Sequence, residues 1–322
     1  MQNRKPQATD SDGIDRRGML QCMAWVGTGV LWTLSGGLVT AKVFGQGIEQ
    51  SGANDFSFVQ ISDSHIGFHK EPNQDVVGTL KLAIDKINAL TQRPAFILHT
   101  GDLTHLAKPG EFDTVDQVLK SARTEKVFYV PGEHDFDSDD NKLYLERFGK
   151  ETKGTGWYSF DYQGAHFVGL VNVANAKSGS PAAGLGVLGQ EQLDWLNKDL
   201  AGRTDSTPVV VFAHVPLWTV YEKWGWGTQD SAQALALLKR FGSVTVLNGH
   251  IHQVMQKTEG AVSFHTARST AFPQSEAGKG TPGPVRGIAA DRLRGVLGLT
   301  KVRYVEHASH LAIVDSTLEN KG

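Results

Sequence analysis

The sequence predicts an α/β fold, a four-layer αββα sandwich of two mixed β-sheets flanked by helices. Two observations predict it. Between Phe56 and Val130, apolar runs of strand length alternate with amphipathic helical segments, the order of a parallel or mixed sheet covered by helices. From Gly156 the texture changes to hairpin-forming segments before strand–helix alternation resumes, which supplies a second sheet. Neither an internal repeat nor an obvious linker divides the chain beyond residue 54.

Taken in order, Phe56–Ser62 reads as a buried strand and Asp75–Leu90 as an amphipathic helix, with Val76, Leu80, Ala83, Ile84 and Ile87 among its apolar positions. Ala95–Thr100 is a second strand, Glu111–Ala122 a helix and Lys126–Val130 a third strand. Right-handed crossovers put the loops after these strands on one edge of the sheet. Trp157–Tyr162 and His166–Asn172 read as antiparallel strands around a tight turn at Gln163-Gly164. A helix over Gln190–Leu200, a strand over Pro208–Phe212, a helix over Ser231–Phe241 and a strand over Val244–Leu247 follow. Val262–His265 and His310–Ser316 look like closing strands, separated by a Gly/Pro-rich loop over Pro273–Pro284 and a short helix over Ala289–Leu297.

The first 41 residues differ from the rest. Arg16-Arg17 precedes an uncharged run from Gly18 to Ala41, diluted by glycines and ending in small residues. This reads as a cleaved signal peptide of twin-arginine type, with residues 42–54 as a linker and 55–322 as the folded domain. The protein is then exported, by analogy to the periplasm, with the twin-arginine export machinery as a partner. An uncleaved membrane anchor is the alternative, and no stable membrane span remains if the leader is removed. A formal net charge of −2 gives no support to a nucleic-acid-binding surface. The single cysteine, Cys22, lies in the leader, so the domain itself has no thiol for a disulfide or a metal.

Five strand ends deliver metal-type ligands: Asp63-Ser64-His65, Gly101-Asp102, Gly132-Glu133-His134-Asp135, Ala213-His214 and Gly249-His250-Ile251-His252. Mixed carboxylate and imidazole donors suit Zn, Mn or Fe better than Ca or Mg. In the D-x-H and H-x-H pairs, alternation along an extended segment would point both side chains the same way. Asp63, His65, Asp102, Glu133, His214, His250 and His252 are too many ligands for one tetrahedral ion and suit two.

In this order and spacing the five motifs resemble those of the calcineurin-like metallophosphoesterases, over about Phe56 to Thr270. The phrases at Ile61–His65, Gly101–Thr104 and Asn248–Gln253 look most like the cyclic-nucleotide phosphodiesterase branch. The resemblance implies a phosphoesterase, more readily a phosphodiesterase, acting on a small phosphoester. It implies two metal ions, Fe and/or Mn or Zn, one held by Asp63, His65 and His252, the other by position 133, His214 and His250, with Asp102 bridging. A bridging hydroxide would attack phosphorus, His134 would stabilise the transferring group or protonate the leaving oxygen, and Asp135 would orient His134. Related purple acid phosphatases carry a tyrosine three residues after the bridging aspartate, where this chain has His105, which argues against that branch.

Glu133 departs from the family pattern, which has asparagine there. With asparagine, two divalent ions, two aspartates and a hydroxide leave one positive charge; with glutamate the charges cancel. The expected consequences are weaker attraction for anionic phosphates, a less acidic bridging water, or a preference for one trivalent ion. The alternative function is a non-hydrolytic metal- or ligand-binding protein on the same fold. His69, His99, His166, His265, His307 and His310 read as packed or surface histidines, whereas His105 could face substrate. The glycines of Gly184–Gly189 match G-x-G-x-x-G without a leading strand and read as a loop before a helix. Trp218, Trp224 and Trp226 are either a pocket wall or packing.

Overall fold

The structure, a computed structural model, describes residues 54–136, 141–173, 185–306 and 311–319, with the backbone of strands β1 (Gly29–Ser35) and β2 (Leu38–Phe44). The chain falls into two units, Met1–Ser51 and Gly52–Gly322. In the first, β1 and β2 pair antiparallel; the rest of the proposed leader, most of the linker, His307, His310 and residues 174–184 lie outside the described residues. Among the described residues no helix is long and apolar enough to cross a membrane.

The second unit begins with β3 (Phe56–Ile61), buried along its whole length. It is followed by α1 (Val76–Asn88), β4 (Phe96–His99), α2 (Pro109–Leu119) and β5 (Lys126–Tyr129). Strands β3, β4 and β5 are parallel neighbours. Helix α1 starts where Asp75 accepts a hydrogen bond from the Gly78 amide (2.8 Å), satisfying one of the free donors of its first turn. Val76, Leu80, Ala83, Ile84 and Ile87 form its buried stripe. Helix α2 starts earlier than its apolar pattern, at Pro109, because proline suits a first helical position that has no use for an amide donor.

After α3 (Lys142–Phe148), strands β6 (Tyr158–Tyr162) and β7 (Ala165–Gly169) form the expected hairpin. Its turn residues Gln163 (φ 44°) and Gly164 (φ 84°) both have the positive φ that a two-residue hairpin turn requires. Then come α4 (Gln190–Ala201), β8 (Val209–Ala213), α5 (Ser231–Leu238), β9 (Val244–Asn248), β10 (Gln256–Glu259) and β11 (Val262–Thr266). The chain closes with α6 (Ala290–Val296), β12 (Gly298–Tyr304) and β13 (Ala312–Thr317).

One sheet has the order β13-β12-β3-β4-β5 and the other β10-β11-β9-β8-β7-β6, each mixing parallel and antiparallel pairs. Their inner faces meet in a core holding Phe58, Phe96, Phe167, Val210, Phe212 and Leu247. The opposite faces pack on helices: Val59 and Ile61 with α1 and α2, and Val209 and Val211 with α4 and α5. This is the four-layer αββα arrangement expected from the sequence. Alternation explains it, since in β3 Phe56 and Phe58 face the second sheet while Val59 and Ile61 face the helices.

Helix α3 and strands β10 and β12 are not legible in the sequence. Strand β10 is exposed throughout and carries polar residues, so it has no burial signal. Strand β12 contains Lys301 and Arg303, yet it is central, between β3 and β13. The glycines Gly186 and Gly189 lie in the loop leading into α4, as expected, with Gly189 at φ 81° immediately before the helix.

Candidate metal centre

Every candidate ligand sits at the carboxyl end of a parallel strand: Asp63 and His65 after β3, Asp102 after β4, Glu133 and His134 after β5, His214 after β8, His250 and His252 after β9. The edges of the two sheets meet there. Asp63, His65 and His252 offer ligand atoms that lie mutually within 4.8 Å, as do Glu133, His214 and His250, and Asp63, Asp102 and His214. The Oδ2 atom of Asp102 lies 3.4 Å from His65 Nε2 and 3.4 Å from His214 Nε2, between the two groups. Asp63 Oδ1 is 3.3 Å from His252 Nε2 and 3.8 Å from His214 Nε2.

The pairs converge by a different route from the one expected. Asp63 (φ 53°), His65 (φ 41°), Asp102 (φ 52°), His250 (φ 69°) and His252 (φ 54°) all occupy the left-handed region, so the D-x-H and H-x-H pairs are tight turns and not extended alternation. That backbone is disfavoured for residues with a Cβ and persists where surrounding contacts over-determine it. Here they do: the amides of Asp63 and His65 donate to the carbonyls of Gly101 (3.0 Å) and Asp102 (3.0 Å), and the His250 amide to Asp63 Oδ1 (3.1 Å).

The imidazoles are oriented from behind. His214 Nδ1 donates to the Thr100 carbonyl (2.7 Å) and His252 Nδ1 to the Phe272 carbonyl (2.5 Å), which leaves each Nε2 lone pair turned into the site. Phe272 also stacks on His65, with ring centroids 4.7 Å apart. Glu133 spans the second group, Oε2 lying 2.9 Å from His214 Nε2 and Oε1 2.9 Å from His250 Nδ1.

These donors fit a cation. Asp63 Oδ2, Glu133 Oε2, His214 Nε2 and both ring nitrogens of His250 are buried without a hydrogen-bond partner. The 2.9 Å approach of Glu133 Oε2 to His214 Nε2 is thus a close contact without hydrogen-bond geometry, the relation of two lone pairs aimed at a common point. The electrostatics agree. Burial works to raise the Glu133 carboxyl, but His250 and His214 outweigh it and hold the group well below the usual carboxylate range. Burial works to lower His214, but Asp102 and Glu133 lift it well above the ordinary histidine value. A buried cluster of carboxylates that calls for positive charge at its centre, with oriented imidazoles around it, suits Zn, Mn or Fe.

His134 stands at the rim. Its Nδ1 donates to the His105 carbonyl (2.8 Å), its amide donates to Asp102 Oδ1 (2.9 Å), and its ring crosses that of His65 edge-on, centroids 4.8 Å apart. Burial opposes its protonation, but Asp102 and Glu133 raise its pKa above the ordinary value. Asp135 does not supply the hydrogen bond that orients it. The Asp135 carboxylate accepts from the amides of Gly132 (2.9 Å), Leu103 (3.0 Å) and Thr104 (2.8 Å) and from Thr104 Oγ1 (2.9 Å), clamping the loop after β4 to the loop after β5. A sequence neighbour of a functional histidine is a natural candidate for its partner. The short helical turn at Glu133–Asp135 instead sends the two side chains to different places.

His105 lies inside the constellation, its ring stacked on His134 (centroids 4.8 Å, 15° between planes) and its Nδ1 3.3 Å from His65 Nδ1. Burial, with the neighbouring His134, pushes its pKa down to about 4. The remaining described histidines of the core have structural partners: His99 with Ser64 (2.7 Å), His166 with Asp161 and Asp199, His265 with Asp315 (3.0 Å). Trp218 packs on Phe264 and Trp226 is buried against Trp224, so packing accounts for both.

The chain belongs to the calcineurin-like phosphoesterase family, whose pattern matches residues 56–254. It is accordingly a hydrolase of phosphoric esters, in a family that generally uses two metal ions. A probable cyclic nucleotide phosphodiesterase of Rhodococcus erythropolis is 25% identical over 222 residues, covering 67% of this chain and 71% of that protein. A rat serine/threonine-protein phosphatase is 29% identical over 240 residues, covering 66% and 75%. Among solved structures, a dimetal phosphatase from Danio rerio shares the fold, with a TM-score of 0.57 at 15% identity, over 82% of this chain and 99% of that one.

Proposed function

We propose that the protein is a phosphodiesterase with a dinuclear metal centre, in which Asp63, His65 and His252 hold one ion and Glu133, His214 and His250 the other. The observation that carries this reading is Asp102 Oδ2, placed at equal 3.4 Å distances from His65 and His214, the position of a carboxylate shared by two ions. Bound there, Fe, Mn or Zn would polarise the phosphoryl oxygens and acidify a water. The chain's own residues supply the rest. His134 has its Nδ1 proton committed to the His105 carbonyl, which leaves Nε2 as the ring nitrogen available to a substrate. Asp102 and Glu133 favour its protonated form, so it suits proton donation to the leaving oxygen. The Asp135 clamp keeps Asp102, Glu133 and His134 in register.

Relatives named as cyclic-nucleotide phosphodiesterases, from Rhodococcus at 25% identity and from Nostoc at 26%, support a small phosphodiester as substrate. Export by the twin-arginine route belongs to the same proposal and rests on Arg16-Arg17 and the uncharged run after it. Fractionating cells that express the chain with both arginines changed to lysine tests it, and unchanged export would reject it.

The function is tested with bis(4-nitrophenyl) phosphate in the presence of Mn, Fe, Zn or Ni, alongside metal analysis of the same protein. Turnover with two ions per chain is expected. One ion per chain at full activity rejects the dinuclear centre. Two ions without turnover under any metal would favour a non-hydrolytic binding protein, the reading that Glu133 in place of asparagine leaves in view.

A further inference from the structure

Three imidazoles of the site are anchored through a ring nitrogen to a carbonyl: His214 to Thr100, His252 to Phe272 and His134 to His105. His65 is anchored differently. Its Nε2 faces Asp102 and His252, at 3.4 and 3.2 Å, and its Nδ1 faces another side chain, the Nδ1 of His105, at 3.3 Å. With the His65 Nε2 lone pair turned into the site, its proton sits on Nδ1 and is donated to His105 Nδ1, so the proton of His105 sits on Nε2.

His105 is itself well held. Its amide donates to the Ile66 carbonyl (2.9 Å), and its ring meets Phe68 edge-on, centroids 5.2 Å apart. From that fixed position it touches His134 twice, by its carbonyl and by the face of its ring, 4.8 Å between centroids and 15° between planes.

We propose that His105 is a positioning residue serving both halves of the site: its ring nitrogen fixes the tautomer and aim of His65, and its ring face fixes the orientation of the His134 ring. The second half rests on His134 being the proton donor; the first does not. The two roles use different parts of one side chain, so they can be separated. His105→Phe keeps a flat ring to stack on His134 and removes the acceptor for His65. His105→Asn keeps an acceptor one bond beyond Cγ, where Nδ1 stood, and removes the ring. The carbonyl is retained in both.

Two readouts are made on the full chain: the concentration of chelator that strips the more weakly held ion, and kcat at saturating metal for a 4-nitrophenyl and an alkyl phosphodiester. Loss of a partner behind a metal-binding histidine typically weakens metal binding by about tenfold or more. His105→Phe is expected to lose its metal at about tenfold lower chelator while keeping the wild-type ratio of rates for the two esters. His105→Asn is expected to hold metal within about threefold of wild type, yet to lose about tenfold or more on the alkyl ester alone, whose leaving oxygen needs the proton. Equal loss of metal and of both rates in the two variants would mean general damage to the loop and would overturn the proposal, as would wild-type behaviour in both. A variant that fails to fold leaves the other to decide its own half. His134→Ala, run in parallel, separates the two readings. If it spares the alkyl ester, the proton-donor assignment fails, and the metal arm of His105→Phe still decides the His65 half.

Discussion

Replacing Asp135 by asparagine conserves shape while removing a charge and exchanging one acceptor oxygen for a donor, and the structure predicts a large effect. Both oxygens of Asp135 accept two hydrogen bonds, Oδ2 from the Gly132 and Leu103 amides and Oδ1 from the Thr104 amide and hydroxyl. An asparagine must turn its own NH2 toward one of these pairs. The cheaper orientation faces Thr104, whose hydroxyl can rotate to accept, leaving one backbone amide opposed by a donor. A lost hydrogen bond to a charged group is worth roughly 1.5–3 kcal/mol, and weakening of the remaining bonds adds about 1 kcal/mol. Asp135 is almost completely buried, so water cannot compensate. The destabilisation is therefore roughly 3 kcal/mol, or about 6–12 °C in Tm for a domain of this size. Burial and the Asp102 carboxylate push the Asp135 pKa up to about 7, a cost of ionisation that asparagine escapes, so the loss should be smaller at pH 8, where the wild-type carboxylate is ionised, than at pH 6, and thermal unfolding is followed at both. Activity should fall as well, because the clamped loops carry Asp102, Glu133 and His134. A variant with Tm within about 2 °C of wild type would refute the clamp. If the variant had lost only activity, it would restore the idea that Asp135 acts by orienting His134.

Glu133→Asn should restore a net positive charge to the site, raising the rate on anionic diesters and shifting metal content away from a trivalent ion; an unchanged rate and metal identity, by steady-state kinetics and metal analysis, would remove Glu133 from the argument. Gly132→Ala should cost about 100-fold in kcat/KM, because its Cβ would fall 2.1 Å from Asp102 Oδ1 and 2.4 Å from the Asp102 amide, displacing the Asp102 carboxylate. Acid stability should depend on Asp199: burial tends to raise its pKa, but hydrogen bonds from His166 and Ser159 outweigh this and lower it below 3.8. Its stabilising contribution is complete above that ordinary value and is lost as pH falls through the folded one. Asp199→Asn should narrow the stability difference between pH 6 and pH 3 in denaturant titrations.

Much of this protein is legible in its sequence. Strands β3, β4, β8 and β9 are buried on both faces and so read as largely apolar runs, which announce themselves without any structure. The titratable residues that follow each run are equally plain, since loops at the ends of parallel strands share one edge. Strands β10 and β12 were not legible, because an exposed edge strand and a central strand carrying lysine and arginine lack the pattern that burial imposes.

The sequence by itself determined which residues could form the centre, and in what order the chain delivers them, since strand order and crossover handedness settle that much. Only the tertiary structure decided how they face one another. Left-handed turns at Asp63, His65, His250 and His252, held by bonds to other loops, aim the pairs inward where extended chain would not. Asp135 went to the Leu103–Thr104 amides, and His105 came to lie against both His65 and His134. Side-chain partnerships of this kind depend on backbone angles and on groups distant along the chain, which spacing does not encode.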